Sequence, residues 1–307
     1  MTLTRDEYRE QVKLLIRLIP YVAKEACFAL KGGTAINLFV RDLPRLSVDI
    51  DLTYLPNEDW ETSLLGIDAA LKRMEHTIRD ALPEVRVNLS LNSQTKTAMK
   101  IVVRHFRTQV KIEVTPVLRG CVFQPERKTV SPAVEDEFGF AEMQVVSFAD
   151  LYAGKLMAAL DRQHPRDLFD VRDLLENEGI SDALREAFIV YLISHKRAFH
   201  DVLDPRRKDI SSEYERNFVG MTKEVVPLEE LLASRETMIA EVVGKMPDNH
   251  QKLLLDILTG TPDWTLLPDP TIQNLPAVRR KLLELNKATD SKRAYMAKRL
   301  ERMFTRV

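Results

Sequence analysis

Leu30-Lys31-Gly32-Gly33-Thr34-Ala35 and, after fourteen residues between Thr34 and Asp49, Asp49-Ile50-Asp51 within Ser47-Val48-Asp49-Ile50-Asp51-Leu52 form the stretch on which the fold turns. The second run alternates strictly, with Val48, Ile50 and Leu52 on one face and Ser47, Asp49 and Asp51 on the other. That is the period of a β-strand with one buried side. At ~3.3 Å per residue the two carboxylates share a face, roughly 7 Å apart at the Cα. Both can then reach one or two magnesium ions, hard cations that take carboxylate and phosphate oxygens. Like charges so close repel, and a cation relieves them where they are partly buried. The glycine pair precedes Ala35, Ile36, Leu38 and Phe39, whose spacing predicts a helix ending near Arg41-Asp42. Bare N–H groups and the helix dipole at such a start favour an anion such as a triphosphate, and Thr34 adds a hydroxyl. Each piece alone is commonplace, since an exposed D-x-D or a Gly-Gly turn is most often plain surface. Their combination in this order is what points to nucleotide chemistry.

Glycine is otherwise scarce: ten in 307 residues, where about 7% is usual. Long β-repeats, collagen-like segments and flexible linkers are therefore excluded, and the tandem pair Gly32-Gly33 asks for a local reason. An apolar fraction of 45% supplies a packed core and argues against disorder. Forty-five basic against 46 acidic residues leave a net charge of −1. This excludes a uniformly cationic nucleic-acid coat while leaving local patches open. Cys27 and Cys121 are too few for a disulfide framework, lack partners at metal-site spacing, and read as small hydrophobes in a reducing compartment. No apolar run approaches the ~20 residues of a membrane span. Arg5, Asp6, Glu7, Arg9 and Glu10 make the start too charged for a signal peptide, so a soluble cytoplasmic protein is expected.

Upstream of the glycine pair, Val12, Leu15, Ile16 and Ile19 recur with helical spacing. Pro20 is expected to interrupt that helix, with a second short helix or turn through Val22, Ala23 and Ala26. Downstream, residues 60–81 read as a helix whose apolar face includes Leu64, Ile67, Leu71, Met74 and Ile78. Two Val- and Ile-rich runs, 98–106 and 109–118, read as strands joined near Arg107-Thr108. From Ser147 the period turns helical almost to the end. Ser147 and Asp150 have capping-box spacing with Asp in place of Glu, and that helix runs to about Leu160. Pro165 opens a further helix ending at Gly179. The expected fold class is α+β: a domain of residues 1–146 with a mixed sheet, then an α-helical domain of residues 147–307.

The runs already quoted, extended to Arg45-Leu46-Ser47-Val48-Asp49-Ile50-Asp51-Leu52, are followed by Asp150-Leu151-Tyr152-Ala153-Gly154-Lys155-Leu156 and Arg166-Asp167-Leu168-Phe169-Asp170. In this order they resemble the AbiEii/AbiGii nucleotidyltransferase-like toxin family, which includes the MenT toxins. The likeness extends over residues 28–175. It departs from the wider superfamily's Gly-Ser at Gly33-Thr34, which keeps a hydroxyl but narrows its rotamer freedom. The resemblance implies a nucleotidyltransferase fold in the first domain and an enzyme that moves a nucleoside monophosphate from an NTP to an acceptor, releasing pyrophosphate. It also implies the 3′ end of tRNA as acceptor, a block to translation, and an antitoxin encoded alongside. Catalytic roles are implied for Asp49, Asp51, Lys155 and Asp167, so that the helical domain contributes to the site.

Residue chemistry runs beside the resemblance. Asp49 and Asp51 would hold magnesium, and Glu113 in Lys111-Ile112-Glu113-Val114 is the candidate third carboxylate. The alternative for Glu113 is a surface glutamate paired with Lys111 or a cross-strand partner. Gly32, Gly33, Thr34 and Ser47 are candidate nucleotide contacts, Ser47 alternatively bonding only to backbone. Lys155 is the only charged side chain between Leu151 and Leu160 on an apolar helix. A buried ammonium needs an anion, here a phosphate or the D-x-D carboxylates, unless the side chain snorkels to water. Asp167 and Asp170 share a helical face, Asp167 matching the family's late aspartate and Asp170 supporting it. Arg166 is a candidate contact to phosphate or to Asp170, whereas His164 reads as structural.

Residues 278–307 hold ten Lys or Arg (Arg279, Arg280, Lys281, Lys287, Lys292, Arg293, Lys298, Arg299, Arg302, Arg306) against Glu284, Asp290 and Glu301. That is a net +7 against −8 for the rest, a candidate RNA-facing surface or a solvated helix face. Tyr295 and Phe304 within it read as helix core. Two other functions stay open: transfer to a small molecule or a protein hydroxyl, and a non-catalytic module that binds NTP or RNA.

Overall fold

The computed structural model describes residues 5–305 of the chain. Helix α1 (Arg5–Val22) buries Val12, Leu15, Ile16 and Ile19 and runs through Pro20 instead of breaking there. A proline in the last turn removes only the bond to the Ile16 carbonyl, while buried Leu18, Ile19 and Val22 hold that turn in the core. Strand β1 (Phe28–Lys31) passes directly into α2 (Gly32–Thr34), which widens into a π-helical stretch over Ala35–Val40. Strand β2 (Asp49–Tyr54) carries the two aspartates, with Ile50 and Leu52 fully buried on its other face. Helix α3 (Trp60–Ala81) starts where Asp59 accepts from the Thr62 amide. Then follow β3 (Arg86–Leu91), β4 (Ala98–His105), β5 (Thr108–Val114), β6 (Glu126–Thr129), α4 (Pro132–Phe138) and β7 (Glu142–Val145).

The seven strands lie in the order β3-β4-β5-β2-β1-β7-β6. β2 is parallel to β5 and antiparallel to β1, and β7 is parallel to β1, so the sheet is mixed as expected. Strands β1, β3, β6 and β7 lie outside the sequence expectation. β1, β6 and β7 are four residues long, and β6 is polar throughout, on an edge where no buried face imposes a period. Helix α1 packs on β5 and β7, and α3 on β3 and β4. The D-x-D strand β2 thus sits mid-sheet, its apolar side in the core and its carboxylate side on the opposite face.

The remainder is helical: α5 (Phe148–Arg162), α6 (Pro165–Asn177), α7 (Asp182–Ser194), α8 (Phe199–Leu203), α9 (Ser211–Asn217), α10 (Leu228–Ile239), α11 (Asp248–Thr259), α12 (Pro276–Asn286) and α13 (Asp290–Phe304). At the start of α5 the Ser147 hydroxyl accepts from the Asp150 amide at 3.0 Å. The Asp150 carboxylate receives that hydroxyl at 2.7 Å and also the Val122 and Phe123 amides at 2.8 and 2.9 Å. The expected capping box therefore also ties the helix to the loop before β6. The chain forms two compact units, one of residues up to Leu151 with Arg216–Val225, the other of Tyr152–Glu215 with the chain from Val226 onward. The first holds the sheet. The second is helical, α6 packing on α10, α7 on α12, and α11 and α8 on α13. Among the described residues, no helix is long and apolar enough to cross a membrane.

Candidate active site

Lys31, the last residue of β1, lies directly opposite Asp51 of β2, so the glycine turn leaves the sheet beside the D-x-D. Gly32 adopts φ +76°, a left-handed conformation costly for other residues. A Cβ there would stand 2.7 Å from Asp51 Oδ2. At Gly33 the constraint is space: a Cβ would meet Arg45 Nη2 at 2.8 Å and Ser47 Oγ at 2.9 Å. Buried Thr34 donates its hydroxyl to the Asp49 carbonyl at 2.5 Å and is hydrogen-bonded to the Ser47 hydroxyl at 3.1 Å. These two side chains thus fasten the helix to the D-x-D strand. Arg45, only 3% exposed, donates to the Leu46 carbonyl. The segment Arg216–Val225 returns to this corner of the first unit. Leu46 donates to the Met221 carbonyl at 2.9 Å, and Arg45 pairs with Thr222 as an isolated antiparallel bridge.

Opposed residues on neighbouring strands project to the same face. The register therefore lays a charged row across the sheet: Lys31 on β1, Asp51 on β2, Glu113 on β5 and Lys100 on β4. Asp49 lies opposite Lys111. Glu113 forms an ion pair with Lys100, the cross-strand alternative. Among the described residues no group of three His, Cys, Asp or Glu side chains is placed to hold a metal ion. Asp49 and Asp51, both half-buried, are the remaining pair. Their chemistry fits magnesium, which commonly takes one or two protein carboxylates and completes its shell with substrate phosphates and water. Burial pushes the Lys31 ammonium below the ordinary lysine range, the neighbouring Asp51 carboxylate opposing that shift.

In the second unit, α5 and α6 are joined by Gln163-His164. Gln163 has φ 53°, uncommon away from glycine. Its side chain sustains the turn by donating to the Arg206 carbonyl at 2.9 Å and accepting from the Lys208 amide at 3.0 Å. His164 caps α6 through Nδ1, which accepts from the Arg166 amide at 3.2 Å, a structural role as expected. The turn brings Asp167 and Asp170 onto Lys155, whose Nζ lies 2.8 Å from Asp167 Oδ1 and 2.9 Å from Asp170 Oδ2. All three are buried. Arg162 adds a two-pronged contact to Asp167, at 2.5 and 2.9 Å. Where the sequence reading expects a phosphate or the D-x-D carboxylates to meet Lys155, the structure supplies these two aspartates. Burial by itself would raise Asp167, but the charges and hydrogen bonds of Lys155 and Arg162 outweigh it and hold the carboxyl well below the usual range. Arg166 is half-buried on the same helix.

Sequence reasoning missed Lys31, Arg45, Lys100, Arg162 and Gln163. Lys31 and Arg45 stood inside the quoted motif. Lys100 becomes meaningful only through strand register, and Gln163 only through its backbone angle.

The C-terminal cations divide between tasks. Lys281 is buried, donating to the Lys196 and Arg197 carbonyls at 3.3 and 3.1 Å. Arg280 donates to the Ser194 carbonyl, and Arg293 pairs with Asp290. Arg279, Lys287, Lys292, Lys298, Arg299 and Arg302 are exposed, and Arg306 lies outside the described residues. Tyr295 is 59% exposed, so it does not join the core; Phe304 is half-buried. Cys27 and Cys121 are free and half-buried, and burial pushes their thiols up to about 11 and about 12.

The chain resembles a solved structure, MenT4, the nucleotidyltransferase toxin Rv2826c from Mycobacterium tuberculosis H37Rv, at a TM-score of 0.61 and 14% identity. The match covers 91% of this chain and 93% of that one, and shows a shared fold. No curated protein matches. The family described as nucleotidyl transferase AbiEii toxin, type IV toxin–antitoxin system, matches residues 13–282. The chain, with its glycine turn and D-x-D strand inside that span, belongs to the AbiEii nucleotidyltransferase toxin family.

Proposed function

We propose that this chain is a magnesium-dependent nucleotidyltransferase that moves the nucleoside monophosphate of an NTP onto the 3′ acceptor end of tRNA in the cytoplasm. It thereby blocks translation, and a cognate antitoxin restrains it. The observation that carries this reading is the pair Asp49 and Asp51 on one face of a mid-sheet strand, with the backbone of Gly32 against Asp51. Asp49 and Asp51 would hold the ion, which when bound neutralises triphosphate charge and lowers the pKa of the attacking hydroxyl. Gly32 and Gly33 offer the triphosphate bare backbone. Thr34 and Ser47 keep Asp49 in place, and Lys31 sets a cation beside Asp51. The acceptor oxygen attacks the α-phosphorus and pyrophosphate leaves. Family resemblance supports catalytic roles for Lys155 and Asp167 and nucleotide contacts for Arg166 and Asp170. Glu113, already paired with Lys100, is left outside the proposed metal set.

The test is incubation with each α-labelled NTP and total RNA, in magnesium and in EDTA. Label is expected on RNA of tRNA size, lost in EDTA and in Asp49→Ala and Asp51→Ala. Label on a small molecule or a protein would overturn the acceptor. Magnesium-dependent binding without pyrophosphate release would reduce the chain to a binding module.

A further inference from the structure

The helical unit contains a cleft of about 280 Å³ bordered by α8, α11, α12 and α13, and none of its lining residues belongs to either carboxylate cluster. Four lysines line it, Lys196, Lys281, Lys287 and Lys292, against the single acid Glu284. Glu284 itself faces Arg280 at 3.9 Å. Lys281 is 3% exposed, its hydrogen-bond partners are two backbone carbonyls, and among the described residues no carboxylate lies within ion-pair distance of it. The Lys196, Lys287 and Lys292 side chains are exposed and, among the described residues, make no ion pair. An ammonium buried against carbonyl dipoles, with its nearest opposing charge, Glu284, beyond ion-pair distance, is an unfavourable arrangement that an anion would relieve. Burial pushes Lys281 below the ordinary lysine range, the Glu284 charge opposing that shift and the Arg280 charge adding to it.

The rest of the wall is apolar. Phe199, Leu258 and Met296 contribute to it, and the Lys281 ammonium stands 5.8 Å from the centre of the Phe199 ring. We propose that this cleft binds a nucleotide, its phosphate meeting Lys281 with Lys287 and Lys292 at the rim, its base and sugar lying on Phe199, Leu258 and Met296. The volume is close to the roughly 300 Å³ at which small-molecule sites begin, the size of one nucleotide and not of a larger cofactor. A lone carboxylate would satisfy the ammonium but leave the apolar wall uncovered. The same chemistry can come from a free nucleotide or from one nucleotide of an RNA strand.

Titration calorimetry on the full chain in EDTA, which suppresses magnesium-dependent binding at Asp49 and Asp51, tests this with two probes: ADP and a single-stranded eight-nucleotide RNA. At least one is expected to bind, and the exposed pair Lys287→Glu/Lys292→Glu to weaken it about tenfold or more at unchanged melting temperature. Lys281→Met is expected to do the same where it folds. ADP binding sensitive to these substitutions identifies a free-nucleotide site. RNA binding alone, equally sensitive, identifies a strand-binding site. No binding of either probe, or binding indifferent to the charge reversal, overturns the proposal.

Discussion

Lys155, Asp167 and Asp170 neutralise one another largely inside the protein, with the exposed Arg162 reaching in to Asp167, so each of the three determines stability before it can be judged for catalysis. Lys155→Ala would leave two buried carboxylates without their ammonium and should cost about 3–5 kcal/mol, measurable by urea denaturation. Loss of transfer in that variant would not by itself identify a catalytic residue. Asp49 and Asp51 are half-buried, and their alanine variants should cost under about 1 kcal/mol while abolishing transfer. Asp167 also carries a pH signature. Its folded pKa is depressed, so its contribution is complete above the ordinary unfolded value near 4 and is lost as pH falls towards the folded one. Asp167→Asn should therefore be much less stable than wild type at pH 7, with the difference shrinking as acid is added below about pH 4. A gap that stayed constant down to acid unfolding would show that the carboxylate's charge is not what matters. Gly33 follows the same logic of crowding. Because a Cβ would strike Arg45 and Ser47, Gly33→Val should lower the melting temperature as well as NTP affinity, rather than affinity alone.

At the scale of elements, β2 and the helix after the glycine turn act as one piece because the Thr34 hydroxyl bonds the Asp49 carbonyl. Thr34→Val keeps the shape and removes the bond. It should cost about 0.5–1.5 kcal/mol and weaken magnesium-dependent NTP binding, with Thr34→Ser restoring both, measured by denaturation and NTP titration. Failure of serine to rescue would point to the methyl group's packing instead. The D-x-D strand, α3 and the helical second half were legible because each buries one side and so writes a period into its residues. Strand β6, polar and at the sheet edge, writes none, and the alternation of β7 lasts only four residues, too few to stand out. Pro20 misled because the rule that proline breaks helices holds for interiors, and this one falls in a buried last turn. Alternation alone placed the two aspartates of the first motif on one face, while the glycine turn before them and the family resemblance marked them as candidates. The partners of Lys155 and Glu113 needed the turn at Gln163 and the register of β4 with β5, neither of which is local in sequence.

On the scale of the whole molecule, the chain does not divide by a single cut. It leaves the first unit within α5, returns to it for Arg216–Val225, and leaves again. The returning segment buries Phe218 and Met221 at 2% exposure each, and Met221 and Thr222 bond the backbone around Arg45. Arg45 in turn packs on Gly33, so a loop some 170 residues downstream supports the turn proposed to receive the triphosphate. A fragment of residues 1–151 lacks that support, and a fragment of residues 152–307 carries Phe218 and Met221 without the unit they belong to. Each fragment alone should expose apolar surface, bind a hydrophobic dye and be cleaved faster than the intact chain in limited proteolysis. Within the intact chain, Met221→Ala should cost about 2–5 kcal/mol, the range for deleting a buried large side chain. It should also weaken NTP binding through release of Arg45, which packs on Gly33. Separately folded fragments as resistant as the whole, or a Met221→Ala variant with unchanged stability, would show that the returning segment is only a passing loop.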